Sequence, residues 1–583
     1  MPTAEPSGSI SAEAAAPADP AVERPVRPVR SVAERARSVG DAALGVLRTQ
    51  FTRWDSRRYW LRLLPVVLLL TALTRLPSFF QPIWNPDEGF LATQARMLAA
   101  GGVMYETVVD RKPPLAPLLY QGAFALFGDK SLWPLRVLAV LAVAATALLV
   151  ASIARRRWGN RAGATAAVLC VLASVGLNPE DAQAANFEIF MLPFTAAAMW
   201  CADRGRWTSA GIAVAGAFLV KQTGGAVLIP VLFLLWRGTP RGGARHRALL
   251  TVLAGFAVPL VATGLLLGVR QSLFWTVTGS GSYASFTGSE LHVLGRGLVN
   301  TLIFTVGCLG LVIPLVTVVR RKLAHRSVLT PDLWVWLAAS GLAVVTGFHF
   351  FGHYYLQLLP PLALLGAGAL QLLAVDWLRL AVTCSAVTAT VFVGWAANTT
   401  HPGVEHSQRL AKAVQTRTEP GDRVLFWGMH PEHYWLADRP PASRYLTAGL
   451  LTNFSGGRDG PTVGERYGMD GSWPTLLAEL RADPPRVIVD DSRGQPYEPA
   501  RMPRLKRILA GEYERMAVVS GAVVYVRTDA EDRTDAEGRS DAEDRSEGRT
   551  EGRADPAGRA DREEPREPAD RPEPAESGPA APR

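Results

Sequence analysis

Cysteine is nearly missing: the 583 residues hold four. Cys170, Cys201, Cys308 and Cys384 fall in or at the ends of apolar segments with no CxxC or paired spacing, so they read as small core hydrophobes, and neither a disulfide framework nor a thiolate metal site is expected. Charge is scarce as well, at 19% against 48% hydrophobic residues. No GxGxxG or GxxxxGKS/T stands in a strand-to-helix setting, which argues against a nucleotide-driven machine. No HExxH-like spacing points to zinc. A secretory signal is also lacking. The first apolar run begins near Leu61, behind a long Pro/Ala/Arg-rich leader, and it is too long for an h-region, so the leader is expected to stay inside.

What the chain has in quantity is long apolar runs. They cluster between residues 61 and 396, many as long as a membrane span of about 17 to 25 residues, with Arg-rich punctuation. The net charge of +9 sits mainly in the first 60 residues and in short loops at 155–158, 237–247 and 320–326. That distribution orients a membrane protein and does not make a nucleic-acid footprint, so the bilayer is the expected partner and nucleic acid is not. The first span is placed at 61–80 and the second at 132–154, with 115–127 too short to cross. Further spans are expected near 161–177, 187–201, 207–220, 224–236, 248–268, 297–319, 332–348, 356–374 and 377–396. Charge bias over about eleven spans predicts the N-terminus inside and the C-terminus outside; merging the segments at 207 and 224 would invert everything downstream.

Outside this block, residues 1–30 lack a core-forming pattern and are expected to be disordered, and 31–60 form a basic juxtamembrane helix ending in aromatics. Residues 399–527 alternate strand-like pieces (424–427, 486–490, 522–526) with helix-like ones (407–417, 475–482, 502–514), the cadence of a small extracytoplasmic α/β domain. The repeating charged tail, 528–583, is expected to be solvated and disordered.

The stretch Trp84–Tyr120 organises the reading. An acidic pair, Asp87 and Glu88, and a basic pair, Arg111 and Lys112, lie just outside an apolar run, where charge is costly unless it has a task. Leu91, Ala95, Leu98 and Ala99 recur at helical spacing between the pairs, as in a short helix lying on the membrane. Pro113 and Pro114 then break the chain and hold the Lys112 ammonium at headgroup level. The other expected outer loops add Glu180, Asp181, Asn186 and Glu188; Lys221 and Gln222; Arg270, Tyr283, Glu290, His292 and Arg296; and His349, His353, Tyr354 and Tyr355.

A transferase acting on a lipid-phosphate sugar needs this inventory: a carboxylate to take the acceptor's proton and cations for the departing phosphate. Asp87 or Glu88 suits the first task, and Arg111, Lys112 and Lys221 the second. Blander readings stand beside these. Asn85-Pro86-Asp87-Glu88 is good helix-capping chemistry, Lys112 and Lys221 can anchor span ends, Glu188 can cap a span, and His353, Tyr354 and Tyr355 can form an aromatic belt.

The DE pair one surface helix ahead of KPPL, the Asn186-x-Glu188 before a span, the FLVKQ span end and the late HYYLQLLPPLALL together resemble the GT-C membrane glycosyltransferases of the protein O-mannosyltransferase and aminoarabinose transferase type, over about 61–396. The resemblance implies an α-helical polytopic GT-C fold and an inverting transfer from a polyprenyl-phosphate sugar to an outer-face acceptor. Asp87 resembles the catalytic carboxylate, Lys112 the phosphate contact and Glu188 the second outer-loop acid, with Glu88 beside Asp87; Arg111 and Lys221 would add phosphate contacts, and Asn186, His353, Tyr354 and Tyr355 substrate contacts. Arg111 stands where aminoarabinose transferases place a Glu towards a metal, so no cofactor is expected, with a divalent metal left open. The rival expectations are a transporter for a lipid-linked sugar and a sensor that uses the outer domain.

Overall fold

The computed structural model describes residues 56–279, 290–321, 328–346, 348–454 and 461–528. The expected leader, most of the juxtamembrane helix, Tyr283 and all but Thr528 of the charged tail lie outside the described residues.

The described residues begin with helix α1 (56–74) and a 3-10 turn at Leu76–Phe79. Helices α2 (Pro86–Ala99), α3 (Leu115–Phe127), α4 (Trp133–Trp158) and α5 (Asn160–Ala173) follow. Then come α6 (Pro179–Gln183), α7 (Phe187–Ala202), α8 (Trp207–Val220), α9 (Leu228–Gly238), α10 (Gly243–Leu267) and the short α11 (Val269–Leu273). The block closes with α12 (Glu290–Gly307), α13 (Leu309–Arg320), α14 (Pro331–Val345), α15 (Leu359–Gln371) and α16 (Val375–Asn398). Its core runs between α4, α5, α7, α14 and α15, where Leu135, Ala139, Leu169, Phe187, Met191, Trp336 and Leu364 are fully or almost fully buried.

The outer surface of this block is apolar. Val258, Val261, Leu265 and Leu266 on α10, Leu291, Leu298 and Leu302 on α12, and Val387 and Val391 on α16 are exposed, Leu266 to 84%. Exposed apolar area on this scale needs a lipid solvent, and helices satisfy their own backbone within it. By length and composition α4, α10 and the helix starting at Val375 can each cross a membrane. The chain is a multi-pass membrane protein.

One of the drawn spans is corrected. The stretch at 297–319 is two helices, α12 and α13, bent by 88° at a break. Gly307 ends α12 with its backbone against that of Gly176, an approach a side chain would block, and Pro314 removes a ladder hydrogen bond just beyond. Residues 207–236 divide at Lys221, whose backbone is extended (φ −155°), before a 3-10 turn at Gln222–Val227 leads into α9. Helix α3 holds 13 residues, about 20 Å long at 1.5 Å per residue, short of a bilayer core.

From Pro402 the chain changes character. Helix α17 (Pro402–Gln415), strand β1 (Val424–Trp427) and helix α18 (Glu432–Ala437) precede the short α19 (Gly449–Thr452) and α20 (Ser472–Ala482). Strand β2 (Val487–Asp490), α21 (Pro503–Glu512), β3 (Tyr513–Val519) and β4 (Ala522–Arg527) complete the unit. The sheet order is β1-β2-β4-β3: β1 and β2 run parallel, with Val424 opposite Val487, and the other pairs are antiparallel. The helix expected at 502–514 stops at Glu512, and a strand missed in the sequence starts at Tyr513. That strand forms an edge whose Glu514, Arg515 and Met516 face solvent, and its charged first half continues the polar pattern of the preceding helix. Its hairpin turns on Ser520 and Gly521, both at positive φ (51° and 87°), the geometry of a two-residue primed turn.

The α/β unit docks on the membrane block through α18 and α2. Arg96 of α2 donates to the Trp435 carbonyl (3.0 Å) and pairs with Asp438 (3.1 Å) and Asp129 (2.6 Å). Trp435 Nε1 donates to the Asp129 carbonyl at 3.0 Å.

Candidate functional site

Four acids reach the site from the first turns of three helices, because Asn-led caps start each one. Asn85 caps α2, accepting from the Asp87 N–H at 2.9 Å, with Pro86 at the first position and Asp87 and Glu88 in the first turn. Asn178 caps α6, accepting from the Asp181 N–H at 3.0 Å, and Asn186 caps α7, with Glu188 in its first turn. Acids in first turns complement the helix dipole. The capping reading therefore holds for these residues, yet their carboxylates go on to reach beyond their own helices.

Asp87 and Glu88 part company. Glu88 is completely buried: its Oε2 accepts from the Trp84 N–H (2.7 Å) and Arg136 (3.0 Å), and its Oε1 accepts from the Ala185 N–H (2.7 Å). Arg136 also donates to the carbonyls of Ser78 and Pro82, and the equally buried Arg75 donates to those of Ala182, Gln183 and Ala184. This network ties the loop before α2 to the loop between α6 and α7. Asp87 instead stays 26% exposed and accepts from the Lys112 ammonium at 3.1 Å, with His353 Nε2 at 4.0 Å from its other oxygen.

Lys112 is delivered by the loop between α2 and α3. Tyr105 donates to the Lys112 carbonyl (3.1 Å), Asp110 accepts from the Lys112 N–H (3.1 Å), and the Lys112 ammonium lies 3.8 Å over the Phe187 ring. Beside it, Lys221 pairs with Glu188 in a buried contact and lies 3.8 Å over the Tyr354 ring. His353 is buried and contacts Asp181 through Nδ1. Gly352, next to it, leaves Asp181 room that a Cβ would fill. The Arg111 carbonyl accepts from Gln222 Nε2 at 2.6 Å, which brings the two basic loops together.

The remaining expected contacts are placed as follows. Asn186 is buried with Oδ1 on the Ile189 N–H, while its Nδ2 has no hydrogen-bond partner among the described residues. Tyr354 lies under the Lys221 ammonium. The Tyr355 hydroxyl is held by Thr301 (2.8 Å) and donates to the Gly297 carbonyl (3.1 Å), away from Asp87 and Lys112.

Burial alone would raise the Asp87 carboxyl, but Lys112, His353 and Lys221 outweigh it and hold the group below its ordinary value. Asp87 is thus an ionised, partly exposed carboxylate among cations. Such a group can accept a proton, and the cations around it can take an added anion.

Two parts of this arrangement were missed in the sequence. Arg75 and Arg136 sit inside runs drawn as apolar spans, where a cation is itself a signal. Asp181 was noted only as one of several loop acids; its pairing with His353, 172 residues away, has no mark in local spacing.

Comparison with known proteins adds two likenesses, one in sequence and one in fold. Residues 111–266 match the model of the dolichyl-phosphate-mannose-protein mannosyltransferase family. No curated protein sequence matches the chain. Among solved structures, ArnT from Cupriavidus metallidurans bound to undecaprenyl phosphate is similar at 15% identity with a TM-score of 0.50, over 81% of this chain and 98% of that one. An oligosaccharyltransferase from Archaeoglobus fulgidus, in complex with Zn and sulfate, is similar more loosely, at 13% identity and a TM-score of 0.42, over 80% and 73% of the two chains. The family match covers residues 111–266 alone, and the likeness to ArnT, at 15% identity, shows a shared fold.

Proposed function

We propose that the chain moves a sugar from a polyprenyl-phosphate donor to an acceptor on the outer face of a cell membrane, by an inverting displacement. The single observation that carries this reading is the convergence of six charged or titratable groups from five separate stretches: Asp87 meets Lys112 and faces His353, His353 contacts Asp181, and the Lys221–Glu188 pair lies close enough to act electrostatically on them. The ArnT of similar fold binds undecaprenyl phosphate, which supports a lipid-phosphate donor here.

In this mechanism the acceptor hydroxyl attacks the anomeric carbon from the face opposite the phosphate, and Asp87 takes its proton. The carbon–oxygen bond to phosphate breaks, and the electron pair leaves with the phosphate oxygen. Lys112 and Lys221, with Arg111 alongside, stabilise the charge that grows there. Before the donor arrives Lys112 neutralises Asp87; a phosphate draws that ammonium away and leaves the carboxylate more basic when the proton must move. Glu188 holds Lys221 in position, His353 does the same for the far side of Asp87, and Glu88 acts as a buried strut. Asn186 and Tyr354 line the sugar side, and Tyr355 orders the helix behind it. The α/β unit and the site lie on the outer face, with the N-terminus inside.

The test is turnover in membrane vesicles supplied with radiolabelled polyprenyl-phosphate sugars. The parent protein should release free polyprenyl phosphate, and Asp87→Asn should lose about 100-fold or more of that rate while keeping the parent's elution and melting behaviour. A folded Asp87→Asn protein that turns over like the parent would refute the assignment.

A further inference from the structure

Away from Asp87, the α/β unit buries three metal-ligating side chains at one point. We propose that His406, His433 and Asp491 bind one borderline divalent ion of the zinc class at the carboxyl edge of the parallel strands. His406 comes from α17, His433 from α18, which follows β1, and Asp491 directly follows β2. Crevices at the carboxyl ends of parallel strands are where open α/β sheets receive ligands. All three residues are at least nine-tenths buried, and their candidate ligand atoms lie within 4.8 Å of one another.

Hydrogen bonding accounts for only half of the cluster. His406 Nε2 and Asp491 Oδ1 are 2.9 Å apart, and Arg493 Nε donates to that same oxygen at 2.9 Å. His433 Nε2 and Asp491 Oδ2 face each other at 3.8 Å, too far for a hydrogen bond, and neither has a hydrogen-bond partner among the described residues. A structural Asp–His pair explains His406 but leaves these two buried atoms orphaned, which native interiors avoid. Two bonds of about 2.0–2.2 Å from a central zinc span that 3.8 Å gap.

Two imidazoles and a carboxylate make a familiar zinc donor set with one open position. Binding would displace the proton shared by His406 and Asp491. Arg493 would become an outer partner of the carboxylate, fixing its plane. The position gives the ion a structural consequence. Glu432, the neighbour of His433, packs so closely on Gly89 of α2 that a Cβ there would overlap it. An ion that fixes α18 to α17 and β2 therefore also fixes the surface on which the Asp87 helix rests. This inference does not depend on the transfer reaction.

Metal-free, tag-free full-length protein in lipid nanodiscs, titrated with Co2+, should develop the visible absorption of a four-coordinate site, saturating at about one equivalent and displaced by Zn2+. Zn2+ should raise the melting temperature of the parent protein. His433→Gln and Asp491→Asn should each weaken Co2+ binding by at least about tenfold and remove most of the Zn2+ shift. Absence of saturable Co2+ or Zn2+ binding by the parent protein would overturn the proposal even if a variant fails to fold. So would a folded variant that binds with the parent's affinity and stoichiometry.

Discussion

Neighbouring acids on one helix turn can have unrelated tasks, and Asp87 and Glu88 do. Glu88 has both oxygens committed to Arg136 and to two backbone N–H groups in full burial, whereas Asp87 meets the Lys112 ammonium at partial exposure. Removing one partner of a buried ion pair strands the other charge. Arg136→Ala should therefore cost about 3–5 kcal/mol, read as a large fall in thermal midpoint in detergent, whereas Asp87→Asn should cost far less. A midpoint unchanged by Arg136→Ala would contradict the strut assignment. The pH behaviour follows from the cations around Asp87, which hold its carboxyl below the ordinary carboxylate range. A depressed group supplies its stabilisation above the unfolded value and loses it as pH falls through the folded one. As a base it must be ionised, so kcat/KM in the parent should hold through the ordinary carboxylate range and fall only below it. Lys112→Ala removes the nearest opposing charge and should move that acid limb to higher pH; an unmoved limb would mean that another group sets it.

At the level of elements, the caps were legible and the bends were not. Asn85-Pro86-Asp87-Glu88 and Glu188 mark helix starts by local chemistry, and α2 and α7 begin there; the same chemistry at Asn178 starts α6 inside a stretch read from the sequence as a loop. Lys221 was legible for the same reason, as a cation ending an apolar run. The bend between α12 and α13 was not, because hydropathy continues through it and the cause is a backbone contact with Gly176, a residue more than a hundred positions earlier. Strand β3 escaped because it follows α21 without a break, and its first residues, Tyr513 and Glu514, extend the helix-like pattern. The seam between α18 and α2 was equally silent, since Gly89 resembles any helical glycine until Glu432 is set against it. Gly89→Ala should cost about 1–3 kcal/mol by overpacking that seam and should make the linker after Asn398 more open to protease; unchanged proteolysis would show that the seam accommodates a methyl group.

For the whole molecule, composition established the class and topology produced the site. Apolar content and Arg-rich loops are enough to read a multi-pass protein, and the ordered motif set resembled the GT-C type, a likeness repeated by the family match over residues 111–266 and by the ArnT-like fold. Pairings such as Asp181 with His353 or Asp87 with Lys112 exist only after the helices pack, so the sequence could supply the candidates but not their partners. The same holds for His406, His433 and Asp491, whose separation along the chain hides any metal spacing. Sidedness is open to direct measurement. A periplasm-sensitive reporter fused after residue 400 should be active, and a cytoplasmic signal would invert the orientation proposed above. The central claim is that Asp87 and Lys112 face one lipid-borne phosphate with opposite charges, and binding of labelled polyprenyl phosphate to the full chain in nanodiscs tests it most directly. Lys112→Ala should weaken binding by about tenfold or more, the loss of one charge-assisted contact, while Asp87→Asn should bind as tightly as the parent or tighter. Equal affinities across the three proteins, or a weakening on loss of the Asp87 charge, would contradict the account.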